Sequence, residues 1–438
     1  MGDFLDFIYN GYNYKLYVPS EYHSDQAAPL LVMLHGCGQN PEDFAAGTNM
    51  NVLAEKENFL VLYPDMNRSI NPTNLSGYNP YGCWNWFYDQ NQHRGQGHPK
   101  LIYEMIHEVK SKYKIDSNKV YAAGLSAGGS LACILGVTYP DVFNGIAIFS
   151  GLAYGAANVL FLFDPTAEAA KHRMEKGVPD PYECGNRAFQ EMGEFKKKMR
   201  VIVFHGICDT VVHPINGKQV ITQWAQTNFL VEGGIGLADV TPNEVHSGIM
   251  NERSYTQQIY HDGDDLPLLE LWMFDLIGHT WSGGNPEGSY TDALGPNATE
   301  ILWNFFNKPQ QQLEENRIET TAIKPIYPPA VLPDDLPALP VTLPIPTIET
   351  VMKLPREVTT KTAIEETEKL QIEPPSEGTI ITPIVETEKH QNELPSELTV
   401  KTPIQGIDTT QTESPSESTK RNAFSSFLSK LMKRKNRK

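Results

Sequence analysis

The sequence predicts an α/β fold: a mainly parallel central sheet flanked by helices and followed by a disordered C-terminal tail. Three observations predict it. Short apolar runs recur and stop at turn residues, helical patterns fall between them, and the composition changes character near Lys308. Strands that alternate with helices imply βαβ units and a parallel sheet.

Taken in order, "YNYKLYVP" alternates apolar and polar residues and reads as an opening strand. "PLLVMLHG", "FLVLYP", "KVYAAG", "NGIAIFSG", "RVIVFHG" and "LLELWMFD" are apolar throughout, the pattern of strands buried on both faces. "PKLIYEMIHEVKSKYK" sets Leu101, Ile102, Met105, Ile106 and Val109 on one stripe, and "TEILWNFF" closes the domain with another amphipathic helix. Tyr154 to Glu194 departs from this rhythm and reads as an inserted cap or irregular excursion, as does the polar stretch from Glu232 to Asp264.

The domain expected from this pattern covers residues 8–307, long enough to bury a full core. Trp303 is the last tryptophan, and beyond it Pro, Thr, Glu and Lys dominate. Residues 308–419 carry a repeat of 20 residues, "LPREVTTKTAIEETEKLQIE", "PPSEGTIITPIVETEKHQNE" and "LPSELTVKTPIQGIDTTQTE", with a fourth copy begun at "SPSEST". Proline and the sparse apolar content make this a duplicated, solvated linker rather than a solenoid. Residues 420–438 hold eight Lys and Arg and no acid, with Phe424, Phe427, Leu428, Leu431 and Met432 at helical spacing. Two readings stand for this end: an amphipathic helix touching a membrane or granule surface, or a disordered basic terminus.

The 438-residue chain has a net charge of −17, which speaks against a nucleic-acid binder, because phosphate contacts need clustered cations. The first residues, "MGDFLDFIYNGYNYKLYVPS", show no secretory signal, so a cytoplasmic location is the default expectation. Asp6 stands where a myristoylation signal needs Ser or Thr, and no stretch reaches the apolar length of a membrane span. The five cysteines, Cys37, Cys83, Cys133, Cys184 and Cys208, lack metal or redox spacing, and no cofactor is expected.

The chemistry concentrates at Gly124-Leu125-Ser126-Ala127-Gly128, a G-x-S-x-G turn between a strand pattern and a helical one. Such a turn presents a serine nucleophile above a sheet, while glycines remove clashes and the Ala127 amide, at a helix start, can hold an oxyanion. A phosphate cradle would need a lysine after the glycines, and none follows. Asp209 follows the strand "VIVF", and His279 lies on the loop after the last strand, so Ser126, Asp209 and His279 occur in α/β-hydrolase order. His35 and His205 read as turn histidines, and His213 is too close to Asp209 to serve as its base. The loop "LVMLHGCGQN" supplies Cys37 as the second oxyanion donor.

The set "LHGCGQN", "CWNWF", "AGLSAGGS", "YPDVFNGIAIFSGLAYGAA", "FHGICDTVVHPINGKQV", "GHTWSGG" and "GSYTDALGPNATEILWNFF" resembles the polyhydroxybutyrate-depolymerase-type esterases, α/β-hydrolases related to feruloyl and acetylxylan esterases. The resemblance runs from about Tyr14 to Phe306. It implies the same nucleophile, acid, base and oxyanion donors. It further implies that Trp84, Trp86 and Trp281 line the substrate cleft, with a core role equally open for Trp84 or Trp86. Cys37 and Cys83 both fall in matching motifs, so the resemblance allows a bridge between them, one that a reducing cytosol would disfavour. The expected activity is that of a serine carboxylesterase on short hydroxyalkanoate esters or polyester. The alternatives are a feruloyl or acetylxylan esterase, and an interaction protein that works through its repeat tail.

Overall fold

The computed structural model describes residues 1–66, 79, 81–157, 166–262 and 267–307. In chain order the elements are β1 (Asp3–Tyr9), β2 (Tyr12–Val18), β3 (Ala28–Leu34), α1 (Pro41–Thr48), α2 (Met50–Glu57), β4 (Leu60–Pro64), α3 (Gly97–Lys112), β5 (Ile115–Leu125), α4 (Ala127–Thr138), β6 (Gly145–Phe149), α5 (Thr166–Lys176) and α6 (Pro181–Met192). There follow β7 (Val201–Gly206), α7 (Ile215–Val231), β8 (Glu244–Met250), β9 (Arg253–His261), β10 (Pro267–Phe274), β11 (Trp281–Ser282), β12 (Thr291–Asp292) and α8 (Ala298–Asn307). The repeats and the basic end expected for residues 308–438 lie outside the described residues.

Among the described residues the main sheet has ten strands in the order β1-β2-β4-β3-β5-β6-β7-β10-β9-β8. The six strands from β4 to β10 are parallel, and antiparallel pairs extend both edges. The apolar runs sit in the middle because both of their faces are covered. In β3, Leu30, Val32 and Leu34 join one core while Leu31 and Met33 join the other; β6 divides Ile146 and Ile148 from Ala147 and Phe149 in the same way. Helices α3, α4, α6 and α7 pack on the first face, and α1, α2 and α8 on the second.

Local sequence sets the helix starts. Asn40 Oδ1 accepts from the Asp43 amide at 2.8 Å with Pro41 in the first turn, and Asp180 caps α6 ahead of Pro181. On α2 the Glu55 carboxylate accepts from Ser20, from the Tyr17 hydroxyl and from the Gly2 amide, bonds that pull its pKa down to about 2 and stitch the first residues to the domain. No helix among the described residues is long and apolar enough to cross a membrane.

Two expectations are corrected. The sheet takes in Asp3–Tyr9, ahead of the expected boundary at residue 8, because Asn10 and Gly11 both take positive φ and fold β1 back on β2. Within the stretch from Glu232 to Asp264, β8 and β9 form a regular hairpin that completes one edge of the sheet, its polar residues facing water. Tyr154 to Glu194 likewise contains α5 and α6.

Candidate active site

Ser126 lies between β5 and α4 with φ +60° and ψ −117°, a conformation that a side-chain-bearing residue adopts only when the surroundings enforce it. The surroundings here are backbone. A Cβ on Gly124 would come within 2.4 Å of Gly128, and one on Gly128 within 2.0 Å of the Leu34 carbonyl. The Ser126 amide donates to Phe149 O at 2.8 Å, and its carbonyl accepts from the Ser130 amide at 2.9 Å, which starts α4. The hydroxyl is thereby raised over the carboxyl end of the sheet.

Asp209 follows β7 and is 4% exposed. One oxygen accepts from the Val211 and Val212 amides at 2.8 and 2.9 Å, and the other faces His279 Nδ1 at 2.7 Å. His205 Nε2 stands 3.5 Å from that second oxygen and 2.9 Å from Val212 O. Burial acts to raise the Asp209 pKa, but the charge of His279, hydrogen bonds from His205 and His279 and the charge of His205 outweigh it. The carboxyl is held well below the usual carboxylate range. An ionised Asp209 accepts the Nδ1 proton and leaves Nε2 as the basic atom of His279.

The His279 loop is fastened to the Asp209 turn. Ile207 N donates to Phe274 O at 2.8 Å and Cys208 N to Ile277 O at 2.9 Å, while Gly206 has no room for a side chain against the Ile277 and Gly278 carbonyls. Asp209 and His279 are therefore joined directly. Among the described residues no hydrogen bond links His279 to Ser126 Oγ, a contact that in such sites often tightens only with substrate bound.

The loop after β3 runs beside the elbow, and a Cβ on Gly36 would lie 3.7 Å from that of Ser126. Gln39, unnoticed in the sequence, is 2% exposed and accepts the Gly36 amide at 2.9 Å, while its Nε2 reaches Asp43 and Ser289. Cys37 is bonded to Cys83. Among the described residues neither the Cys37 nor the Ala127 amide donates to a protein acceptor, so both stay available to a developing oxyanion.

Ser126, Ala127 and the Cys37–Cys83 disulfide border a cleft. Its walls are Trp86, Phe87, Leu152, Ala170, Met174 and Val212. Of the three tryptophans expected here only Trp86 takes part. Trp84 is fully buried, its Nε1 donating to His35 O at 3.1 Å and its ring edge-on to His98. Trp281 is buried as well; it stacks on Phe149 with centroids 3.6 Å apart and donates to Thr299. The strand alternation expected for Trp84 and Trp86 fails because residues 83–85 are irregular and 86–87 form a turn. Among the described residues no group of three or more His, Cys, Asp or Glu could hold a metal.

The family model described as esterase PHB depolymerase matches residues 12–247. Poly(3-hydroxyalkanoate) depolymerase C of Paucimonas lemoignei is 31% identical over 254 residues, which cover 58% of this chain and 55% of that protein, so the chain spans about half the length of this relative. Feruloyl esterase B of Thermothelomyces thermophilus is 31% identical over 255 residues, 57% of this chain and 78% of the relative. An acetyl xylan esterase from Aspergillus awamori, 21% identical, covers 70% of this chain and 100% of its own with a TM-score of 0.52, a likeness of fold. The chain belongs to the esterase PHB depolymerase family.

Proposed function

We propose that this protein is a serine esterase that cleaves short hydroxyalkanoate esters through an acyl-enzyme on Ser126. The observation that carries the reading is the strained Ser126 at the carboxyl end of the sheet, with the bonded Asp209–His279 pair at the same end. His279 Nε2 takes the Ser126 proton as Oγ attacks the ester carbonyl, and Asp209 fixes the tautomer and steadies the imidazolium. The Cys37 and Ala127 amides hold the oxyanion, each donor worth about 3 kcal/mol in comparable sites. His279 then protonates the leaving alkoxide, and in the second half-reaction it activates the water that frees the acyl group.

The substrate assignment draws on the depolymerase relative and on the mainly apolar cleft wall, which suits an aliphatic acyl chain. A second reading, a feruloyl esterase, draws on the relative of that name and on Trp86 and Phe87, flat partners for an aromatic acid. A hydrolysis panel separates them: p-nitrophenyl acetate, butyrate and octanoate, 3-hydroxybutyrate oligomers, amorphous polyhydroxybutyrate and methyl ferulate, each with wild type and Ser126→Ala. Turnover of hydroxybutyrate esters that vanishes in the variant is the expected result. Preference for ferulate replaces the first reading with the second, and turnover that survives in Ser126→Ala removes the nucleophile from both.

A further inference from the structure

His205 reads in the sequence as a turn histidine, yet it lies inside β7, one residue before the strand ends. Along β7, Val201 and Val203 join one core while Ile202 and Phe204 join the other. Alternation therefore aims the His205 side chain at the first face, where α7 packs, a place that suits an aliphatic residue better than a polar ring. His205 is 1% exposed, and Gly217 on α7 leaves room for it, since a Cβ there would come within 2.8 Å of Nδ1.

Buried polar groups are normally hydrogen-bonded. His35 obeys with both nitrogens: Nδ1 meets Gly36 O at 2.9 Å and Nε2 accepts from the Met66 amide at 3.1 Å. His205 does not. Among the described residues its Nδ1 has no hydrogen-bond partner, while its Nε2 faces Val212 O at 2.9 Å and Asp209 Oδ2 at 3.5 Å. A carbonyl and an ionised carboxylate only accept, so Nε2 is the nitrogen that carries hydrogen. Oδ2 is also the oxygen that His279 Nδ1 meets at 2.7 Å, and the Val212 amide donates to Oδ1 at 2.9 Å. Val212 is thus held at both ends, by Asp209 through its N–H and by His205 through its C=O, and the carboxylate sits within a closed ring of contacts.

We propose that His205 is a positioning residue for ester hydrolysis: its Nε2–H fixes the Asp209 carboxylate with Oδ2 turned to His279. Asp209 serves the reaction only while that oxygen accepts from Nδ1, because the bond selects the imidazole tautomer and steadies the imidazolium. Without His205, Val212 O loses its donor and Oδ2 keeps the His279 bond alone, so acid and base are freer to part as charge builds on the imidazole. An aliphatic side chain at 205 would avoid the unpartnered Nδ1, but it would leave the acid without its second donor. The role rests on the reading of Asp209 and His279 as acid and base.

The test measures kcat and KM on p-nitrophenyl butyrate for the full-length wild type, His205→Phe, His205→Asn and His205→Gln, each also combined with Asp209→Asn. A glutamine amide reaches the place of Nε2 and can give one hydrogen to each acceptor, whereas an asparagine amide is too short. His205→Phe and His205→Asn should lower kcat about tenfold or more with little change in KM, and His205→Gln should retain most of kcat. In the Asp209→Asn background the same substitutions should cost little further, because a residue that acts through Asp209 then has nothing to act on. Val212 is also a cleft wall, so a histidine that only shaped the wall would move KM. A loss confined to KM, an unchanged kcat, or a kcat loss repeated in full in the Asp209→Asn background overturns the proposal. Equal kcat in His205→Asn and His205→Gln overturns it as well, and that comparison decides alone if His205→Phe does not fold. Asp209→Asn with the kcat of wild type would instead remove Asp209 as the acid, and the proposal with it.

Discussion

At residue 128 a single methyl group decides whether the elbow can exist. The space a Cβ would occupy is filled by the Leu34 and His35 carbonyls, at the end of a central strand, which cannot retreat cheaply. Gly128→Ala should cost roughly 3 kcal/mol or more and remove esterase activity, read by thermal unfolding beside p-nitrophenyl butyrate turnover. Asp209 makes a different prediction. Asp209→Asn should keep the fold near neutral pH and lower kcat by about 10³ to 10⁴-fold, through loss of the correct imidazole tautomer. Because the folded-state pKa of Asp209 is depressed, its carboxylate contributes stability above the ordinary carboxylate range. That contribution is lost as pH falls through that range toward the folded value. A melting-temperature series from pH 7 to pH 3 should therefore fall less steeply for Asp209→Asn than for wild type; parallel curves would contradict the linkage. These residues were legible in the sequence because G-x-S-x-G and the Ser, Asp, His order express backbone geometry and strand order. Trp281 and Trp84 were misread because a tryptophan beside a motif looks the same whether its ring faces a cleft or a core.

Among the elements, the Cys37–Cys83 bridge joins the loop carrying one proposed oxyanion donor to the turn carrying Trp86. It closes a sequence separation of 46 residues, for which chain-entropy reasoning gives a stabilisation of about 4 kcal/mol. Cys83→Ser, or a reductant, should lower the melting temperature and reduce kcat/KM, and an unchanged kcat would show that the loop holds its shape without the covalent tie. The same bridge bears on the cellular setting, since disulfides persist in oxidising compartments. Alkylation of free thiols in the source cells separates an oxidising location from the cytoplasmic expectation. The central strands were readable because a strand buried on both faces has one pattern. The edge hairpins were not. β8 is exposed along almost its whole length and β9 is half-buried, so neither has a continuous apolar run. For β1 the available signal was the Asn10-Gly11 pair, a turn whose two positive φ values fit a tight hairpin. The cleft wall was illegible for another reason: Leu152, Ala170, Met174 and Val212 come from separate segments and resemble ordinary core residues until folding brings them together.

For the molecule as a whole, the described domain closes with α8, whose Leu302, Trp303, Phe305 and Phe306 are all buried. A chain ending at Asn307 should keep its rate on soluble esters within about twofold. One ending at Asn297 should fail to fold, because losing four such side chains at roughly 2 to 4 kcal/mol each approaches or exceeds the stability of a typical domain. Comparing the Asn307 chain with the full chain on polyester granules tests the surface contact expected of residues 420–438; equal partitioning would count against it. The two proposed oxyanion donors are main-chain amides, and the segments that bear them meet where the Gly128 backbone packs against Leu34. Mutation at positions 86, 87, 152, 170 or 174 can reshape what enters the cleft while those amides keep their spacing. A lineage built on this scaffold inherits its chemistry from the peptide chain itself, and remains free to trade one ester for another by substitutions in the wall.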